Sequence, residues 1–372
     1  MIGKWSEAQA RQWRAERPWI VGCNFTPSTA INQLEMWQAE TFDPARIALE
    51  LDLASSLGMN MVRVYLHDLL WAADADGFAA RIDQVLELAA ARGIGVMLVI
   101  FDSCWDPNPH LGPQRAPKDN VHNSGWVQSP GMAALHDRGQ WPRLEAYVRG
   151  VVRRFAHDPR VTAWDVWNEP DNGPDVASCD AALHAVKAAL VLPLIELAFG
   201  WVRSEAPRQP LTSGVWLGDW SDRANLTPLQ TFQLDASDIV SFHNYGTAAD
   251  FEQRIEWLQA WNRPIVCTEF MARPAGSTFE AILPIARRHG VGAVCWGLVK
   301  GKTQTHLPWD NWASDLEDFP AEAWFHDIFE PDGTPHDPAE VDFLRMITRI
   351  AEAAEVELHE AAADQRELTS RL

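Results

Sequence analysis

The sequence predicts an α/β fold, a (β/α)8 barrel of the TIM type with long βα loops after the third and eighth strands. Short apolar runs alternate along the chain with segments of helical periodicity, which is the pattern of βα units. Several of these runs are apolar on both faces, as parallel strands are when helices cover their sheet. The length of 372 residues, 47% of them hydrophobic, suits one elaborated barrel better than two domains.

Eight runs are predicted to be the strands of the barrel. The competing doubly wound fold would need a glycine-rich phosphate turn after an early strand. Neither G-x-G-x-x-G nor G-x-x-x-x-G-K-S/T occurs in the sequence, so the barrel is favoured. The predicted strands are residues 20–25, 59–66, 94–101, 161–167, 211–216, 239–243, 264–268 and 291–298.

Three of the intervening helices are well marked. The first begins where Asp43 can cap the helix and Pro44 suits its first turn, and Gly58 can end it. The second and third are indicated by apolar stripes at helical spacing over residues 78–89 and 144–155. Both stripes are hard to reconcile with strands.

Two long segments interrupt this alternation, residues 102–140 after the third strand and residues 300–338 after the eighth. The βα loops of a barrel form its catalytic face, so we expect both segments to shape a binding cleft. The predicted organisation is a single catalytic barrel over residues 1–350 and an acidic helical tail over residues 351–372.

Composition excludes several classes of partner. The formal charge of -20 and the lack of a basic stripe argue against nucleic acid. No apolar run is expected to span a membrane, and no secretory signal follows Met1. Five scattered cysteines suit a reducing compartment. We expect a cytoplasmic protein, with a periplasmic or secreted location open if a signal precedes the chain, and the sequence predicts no oligomeric state.

Two glutamates directly follow apolar strands, and we expect them to be catalytic. Glu169 closes the fourth strand in the run Trp-Asn-Glu-Pro, and Glu269 closes the seventh in the run Thr-Glu-Phe. A carboxylate in such a place is costly unless it is paired or used. A single one would more often cap a helix or form an ion pair, but two on strands across a barrel favour glycosidic cleavage, which needs two carboxyl groups.

Two further polar residues are expected beside these glutamates. Arg63 is a lone charge in an apolar strand and needs a buried anionic partner, which Glu269 could supply. Asn168 immediately precedes Glu169 and could hydrogen-bond a sugar hydroxyl beside the cleaved bond.

Aromatic residues at strand ends complete the predicted site. Tyr245 could hold the nucleophile by a hydrogen bond, and Trp296 could stack on the sugar being cleaved. His243, taken singly, would more often be a core histidine. The 19 Trp against 3 Tyr modestly favour a carbohydrate site, and we expect Trp105 and Trp216 to bind substrate as well.

These motifs resemble clan A glycoside hydrolases, closest to family 5. The resemblance extends from the first strand to a last helix near residues 341–350. It implies a retaining double displacement with Glu169 as general acid/base and Glu269 as nucleophile. It also implies that Arg63, Asn168, His243, Tyr245 and Trp296 complete the subsite of the cleaved sugar. The motifs that carry it are Trp167-Asn168-Glu169-Pro170, His243-Asn244-Tyr245, Thr268-Glu269-Phe270 and the strand ending at Trp296.

The chain departs from the familiar cellulases of that family at its third strand. Those enzymes usually carry Asp-x-His there, whereas this chain has Asp102-Ser103-Cys104. The resemblance therefore does not predict cellulase activity.

The sequence thus predicts a retaining β-glycosidase that acts on oligo- or polysaccharides without a metal or organic cofactor. The 12 His show no convincing metal-ligand spacing, although His67, His110 and His122 could line the cleft. Glu169 is expected to keep a raised pKa while Glu269 stays charged, with the carboxyl groups ~5.5 Å apart. A transglycosylase and a non-catalytic carbohydrate-binding barrel are the alternatives. The sugar, the linkage and endo or exo action are not predicted.

Overall fold

The computed structural model describes residues 3–173, 181–309 and 324–349, and it contains eight parallel strands arranged as a nearly closed barrel. The strands follow the order β5-β4-β3-β2-β1-β8-β7-β6, so that each lies beside its neighbour in sequence and β1 pairs with β8. The predicted fold class and all eight predicted strands are confirmed. The strands are β1 Val21–Asn24, β2 Met61–Tyr65, β3 Gly95–Asp102, β4 Val161–Asn168, β5 Leu211–Thr212, β6 Val240–His243, β7 Ile265–Phe270 and β8 Gly292–Cys295.

The barrel closes between β5 and β6 through a single bridge. Val215 pairs in parallel with Phe242. The Val215 amide donates to the Ser241 carbonyl at 3.1 Å, and the His243 amide donates to the Val215 carbonyl at 3.0 Å. The predicted fifth strand, residues 211–216, is therefore too long, because the chain leaves β4 after two paired residues and turns toward β6.

Helices cover the outside of the barrel, and the three marked in the sequence are confirmed. Asp43 caps α3 by accepting a hydrogen bond from the Arg46 amide at 2.9 Å, and Gly58 follows its end with a φ of 74°. The helix of the second stripe begins earlier than the stripe and is kinked at Asp74. The helices are α1 Glu7–Ala15, α2 Gln33–Trp37, α3 Pro44–Ser56, α4 Asp68–Ala90, α5 Met132–His136, α6 Trp141–Phe155, α7 Ala181–Ser204, α8 Pro228–Ala236, α9 Ala248–Leu258, α10 Phe279–Arg288 and α11 at 338–349, with 3-10 turns at Arg138–Gln140, Arg223–Asn225, Gln259–Trp261 and Arg273–Ala275.

The segment Ala182–Ser204 of α7 is long and apolar enough to cross a membrane by length and composition. The expectation that no run of this kind exists is wrong for this helix. In the fold α7 packs against α6, α8 and β4 as the outer helix between β4 and β5. Its buried residues on this side include Val191, Leu194, Ile195, Ala198, Phe199 and Val202.

The interior of the barrel changes from apolar to polar along the strands. Alternate residues of β2 share one face, and Met61 belongs to an apolar layer of the core whereas Arg63 and Tyr65 follow it toward the carboxyl ends of the strands. The other residues of that layer include Ile20, Met97, Ala163, Ile239, Val266 and Val294. The buried thiols of Cys23, Cys267 and Cys295 pack in the core.

The two long loops meet above the carboxyl ends of the strands. The Asn123 amide donates to the Thr303 carbonyl at 2.7 Å, and His122 Nδ1 lies 2.8 Å from the Leu307 carbonyl oxygen. The predicted tail, residues 351–372, lies outside the described residues.

Candidate active site

Glu169 and Glu269 come together at the carboxyl ends of β4 and β7. Both are largely buried, with exposed fractions of 7% and 4%. One carboxylate oxygen of each and a ring nitrogen of His243 lie within 4.8 Å of one another. Glu169 has a φ of 41°, a left-handed conformation that is uncommon outside glycine. It is therefore held in the site by an unusual backbone turn.

Three donors surround the carboxylate of Glu269. Arg63 Nη1 and the Tyr65 hydroxyl donate to Oε1 at 2.8 and 2.9 Å, and the Tyr245 hydroxyl donates to Oε2 at 2.7 Å. Burial raises the pKa of both phenols well above the ordinary value, so both keep their protons and act as donors. The arrangement holds Glu269 in one orientation and balances its charge.

Arg63 is fully buried and bridges two carboxylates. Its Nη2 lies 2.8 Å from Asp165 Oδ2, and its Nη1 lies 2.8 Å from Glu269 Oε1. The same guanidinium donates to Asn168 Oδ1 at 2.7 Å and to Asn24 Oδ1 at 2.8 Å. The expected contact with Glu269 is present, and Asp165 is a second anionic partner that the sequence argument did not identify.

Glu169 has a different set of neighbours. His243 Nδ1 lies 2.8 Å from Glu169 Oε1. The side-chain Nδ2 of Asn172 and the Cys104 thiol donate to Glu169 Oε2 at 2.7 and 3.3 Å. Burial acts to raise the pKa of Glu169, but the hydrogen bond and charge of His243, with the bonds from Asn172 and Cys104, outweigh it and leave the pKa lowered. The expectation of a raised pKa is therefore wrong for this structure. It came from the need for a proton donor and did not include these hydrogen bonds.

The third strand supplies a buried polar cluster behind Glu169. Asn168 Nδ2 donates to Asp102 Oδ1 at 2.9 Å, and Trp126 Nε1 donates to Asp102 Oδ2 at 2.5 Å. Burial raises the pKa of Asp102 to about 6, although these bonds oppose the shift. Cys104 contacts both Asn168 Nδ2, at 3.4 Å, and Glu169.

A cavity of about 280 Å³ opens over the two glutamates. It is apolar on most sides, and the only carboxylates among its described lining residues are those of Glu169 and Glu269. Its walls are mainly aromatic, as expected for a site that binds the flat apolar face of a ring. The lining residues are Cys104, Trp105, His122, Asn123, Trp126, Asn168, Glu169, Asn172, His184, Trp216, Tyr245, Glu269, Trp296, Trp309 and His326.

The predicted site residues all lie at this end of the barrel. Trp105, Trp216 and Trp296 line the cavity, whereas Arg63 and His243 lie behind it and contact the glutamates. Of the three histidines proposed to line the cleft, His122 is in the wall. His67 and His110 are not among the described lining residues.

Several residues of the site were not predicted from the sequence. Tyr65 could have been found, because it lies two residues after Arg63 on the same face of β2. Asn172, Trp309 and His326 carry no such signal, since they lie in loops whose course depends on tertiary contacts.

The grouping of Glu169, His243 and Glu269 is the one set among the described residues that offers three candidate metal ligands within 4.8 Å. One hydrogen bond accounts for part of this spacing, because His243 Nδ1 lies 2.8 Å from Glu169 Oε1. The same nitrogen lies 3.5 Å from Glu269 Oε2.

Comparison with known proteins gives one family and several similar folds. The sequence matches the profile of the family described as Cellulase (glycosyl hydrolase family 5) over residues 26–315. No curated protein sequence matches it significantly.

Three solved structures illustrate the similarity of fold, each aligned over 90% of this chain. The exo-beta-1,4-mannosidase Op5Man5 from Opitutaceae bacterium strain TAV5 is 20% identical with a TM-score of 0.55. A GH5_18 protein from Bifidobacterium longum subsp. infantis is 15% identical with a TM-score of 0.59, and 79% of it is covered. The hyperthermostable endo-1,4-beta-D-mannanase from Thermotoga petrophila RKU-1 is 12% identical with a TM-score of 0.56 and is covered in full. The chain spans 60% of the length of the Opitutaceae protein.

Proposed function

We propose that this chain, which belongs to glycosyl hydrolase family 5, is a glycoside hydrolase that cleaves β-glycosidic bonds with retention of anomeric configuration. In this proposal Glu269 is the nucleophile and Glu169 is the general acid/base. One observation carries it: the two carboxylates face one cavity with one oxygen of each within 4.8 Å. Retaining enzymes hold their carboxyl groups about 5–5.5 Å apart, whereas inverting enzymes need roughly 6.5–9.5 Å to admit a water molecule.

The first step forms a covalent glycosyl-enzyme. An oxygen of the Glu269 carboxylate attacks the anomeric carbon while the bond from that carbon to the glycosidic oxygen breaks. Glu169 donates its proton to the departing oxygen, which leaves as an alcohol. The three donors on Glu269 orient the carboxylate for attack and balance its negative charge before the bond to carbon forms.

The second step reverses these roles with water as the acceptor. Glu169, now a carboxylate, takes a proton from water while the water oxygen bonds to the anomeric carbon. The bond to Glu269 breaks and its carboxylate is regenerated. Two displacements at one carbon restore the original configuration.

The contact between His243 and Glu169 bears on the protonation of the acid/base residue. The 2.8 Å hydrogen bond between His243 Nδ1 and Glu169 Oε1 helps to lower the pKa of Glu169 in the free site. A sugar that fills the cavity excludes water, which disfavours charge on Glu169 and favours its protonated form. We propose that substrate binding in this way prepares Glu169 as an acid despite the lowered pKa of the free site.

The lining of the cavity supports a neutral sugar as substrate. No Lys or Arg is among its described lining residues, and both carboxylates in it would repel an anionic sugar. Tryptophan faces such as those of Trp105, Trp216 and Trp296 suit the apolar face of a pyranose ring. β-1,4-Mannosides are the first substrates to try, because proteins of similar fold are named as mannosidases and mannanases.

The experiment is sugar release from a panel of β-linked manno-, gluco-, xylo- and galacto-oligosaccharides by the wild type and by Glu269→Gln. Glu87→Gln, an exposed residue of α4, is the matched control. Release by the wild type and the control, together with loss in Glu269→Gln, supports the proposal. Release that persists in Glu269→Gln overturns the assignment of the nucleophile.

A further inference from the structure

One wall of the cavity is built where the two long loops meet. Asn123 comes from the loop after β3 and His326 from the segment after β8. Both side chains are buried, with exposed fractions of 1% and 0%, and both line the cavity that contains Glu169 and Glu269. Neither residue takes part in the steps described above.

The side chain of Asn123 has both of its polar atoms unpartnered. Its Nδ2 and Oδ1 are buried, and neither has a hydrogen-bond partner within the described parts of the chain. The backbone at this residue is well fixed, because its amide donates to the Thr303 carbonyl at 2.7 Å and its carbonyl accepts from the Trp126 amide at 3.2 Å. A buried amide without partners is costly, so a structural role alone does not account for it.

His326 lines the same cavity and carries another unpartnered polar atom. Its Nδ1 is hydrogen-bonded to the Met271 carbonyl, so Nδ1 carries the proton and Nε2 is an acceptor. Burial lowers the pKa of His326 well below the ordinary value, which keeps the imidazole neutral. Its Nε2 is buried and has no partner among the residues that the structure describes.

The environment of His326 fixes the direction of this acceptor. Its ring stacks on Trp309, with centroids 5.2 Å apart and an interplanar angle of 23°, and meets the edge of Tyr245 at 5.5 Å. Met271, which supplies the carbonyl, has a φ of 88°, a rare value for a non-glycine residue. Such backbone conformations are found where the surrounding structure enforces them, often at ligand sites.

Unpartnered buried polar atoms are rare among the residues that line this cavity. Within the described residues, buried polar side-chain atoms without a partner occur in many parts of the fold, but only those of Asn123 and His326 belong to side chains that line this cavity. Asn123 also lines a neighbouring pocket of about 20 Å³ that includes Asp327. Asn123 therefore borders both that pocket and the cavity that contains the two glutamates.

We propose that Asn123 and His326 are specificity-determining residues that bind free hydroxyl groups of the neutral glycosyl unit held in the cavity. The amide of Asn123 offers a donor and an acceptor, which together suit two hydroxyls or one hydroxyl that both donates and accepts. The acceptor of His326 requires an O–H group, so a hydrogen, a fluorine or a methoxy group at that position fails to bind it. The inference rests on the proposed function, since it concerns the sugar cleaved by Glu169 and Glu269.

The test compares kcat/KM for an aryl β-glycoside of the sugar identified by the panel with its monodeoxy, monofluoro and mono-O-methyl analogues. For the wild type, we expect replacement of at least one hydroxyl to lower kcat/KM by about tenfold or more. Sites that hydrogen-bond a hydroxyl discriminate strongly against substrates that lack it. Asn123→Leu and His326→Phe should each lose rate on the parent glycoside and lose the discrimination at the hydroxyl they bind. Asn108→Leu and His110→Phe, exposed residues of the same loop, are the matched controls.

Two conservative variants guard against loss of folding. Asn123→Asp keeps the shape of the side chain without its donor, and His326→Gln keeps an acceptor. We expect Asn123→Asp to lose discrimination between the parent glycoside and its analogues. His326→Gln should keep part of the discrimination that His326→Phe loses. The melting temperature of each variant shows whether it is folded.

This proposal and the proposed function fail separately. Hydrolysis that survives in Glu269→Gln overturns the proposed function. Wild-type turnover that is equal on all analogues, or discrimination unchanged in the Asn123 and His326 variants, overturns this proposal while leaving Glu269 as the nucleophile.

Discussion

His243 Nδ1 lies 2.8 Å from Glu169 Oε1 and 3.5 Å from Glu269 Oε2, so one imidazole contacts both carboxylates of the site. The contact lowers the pKa of Glu169 against the effect of burial. The two carboxylates are thereby set apart by their surroundings, one held by Arg63 and two phenols and the other by an imidazole, an amide and a thiol.

Removing this imidazole should shift the pH dependence of the enzyme. In His243→Asn, burial of Glu169 is no longer opposed by the strongest of its partners, so its pKa rises. Glu169 must be protonated in the first step, and the alkaline limb of kcat/KM therefore moves to higher pH. The measurement is a pH profile with an aryl glycoside, with His110→Asn as control. A limb that stays in place or moves to lower pH would contradict this explanation.

The three tyrosines of the chain divide into two that hold the nucleophile and one that does not. Tyr65 and Tyr245 donate to Glu269, whereas Tyr147 donates to the Ile100 carbonyl at 2.9 Å. We expect Tyr65→Phe and Tyr245→Phe to lower kcat by about 10- to 1,000-fold, since loss of one preorganised donor is worth up to that amount. Tyr147→Phe should retain kcat and lose about 1 kcal/mol of unfolding free energy. Steady-state kinetics and urea unfolding of the three variants decide the matter, and equal kinetic effects in all three would rule out a specific role.

The buried charge of Arg63 should couple strongly to Asp165. Arg63→Met leaves Asp165 as an uncompensated buried anion, and breaking such a pair typically costs about 3–5 kcal/mol of unfolding free energy. Adding Asp165→Asn removes that anion and should recover part of the loss. Urea unfolding of the two single variants and the double variant gives the coupling energy. If the double variant loses the sum of the unfolding free energies that the two single variants lose, the two side chains do not stabilise each other.

Cys104 should be the described thiol whose modification inactivates the enzyme. It lines the cavity and is 9% exposed, whereas Cys23, Cys267 and Cys295 are completely buried. Burial raises the pKa of the Cys104 thiol well above its usual value, so inactivation by a small thiosulfonate reagent should be slow and should accelerate with rising pH. Cys104→Ser should resist inactivation, and bound sugar should protect the wild type. Inactivation of Cys104→Ser at the wild-type rate would place the sensitive thiol elsewhere.

Much of the fold and the two central residues could be predicted from the sequence. The eight strands follow from local apolar runs, because a parallel strand covered on both sides must be apolar throughout. Glu169 and Glu269 stand out because a carboxylate at the end of such a strand is unusual. Arg63 stands out for the same reason, and its contact with Glu269 is present in the structure.

The rest depended on contacts between distant segments. The lowered pKa of Glu169 depends first on His243 and also on Cys104, which lie 74 and 65 residues away in the chain. The course of the loop at Asn123 is set by a hydrogen bond to Thr303, 180 residues later in the chain. The short β5 likewise reflects the bridge between Val215, which follows β5, and Phe242 of β6, a contact that the sequence run alone could not predict.

The central claim is that Glu269 forms a covalent bond to the sugar, and trapping that species tests it most directly. A 2-deoxy-2-fluoro glycosyl fluoride of the sugar identified by the panel slows both steps, yet its fluoride leaves without help from an acid. Mass spectrometry of the labelled and digested protein should then find one added glycosyl group on the peptide that contains Glu269. A label on another residue, or continued turnover of substrate by a protein that never accumulates a label, would contradict the account.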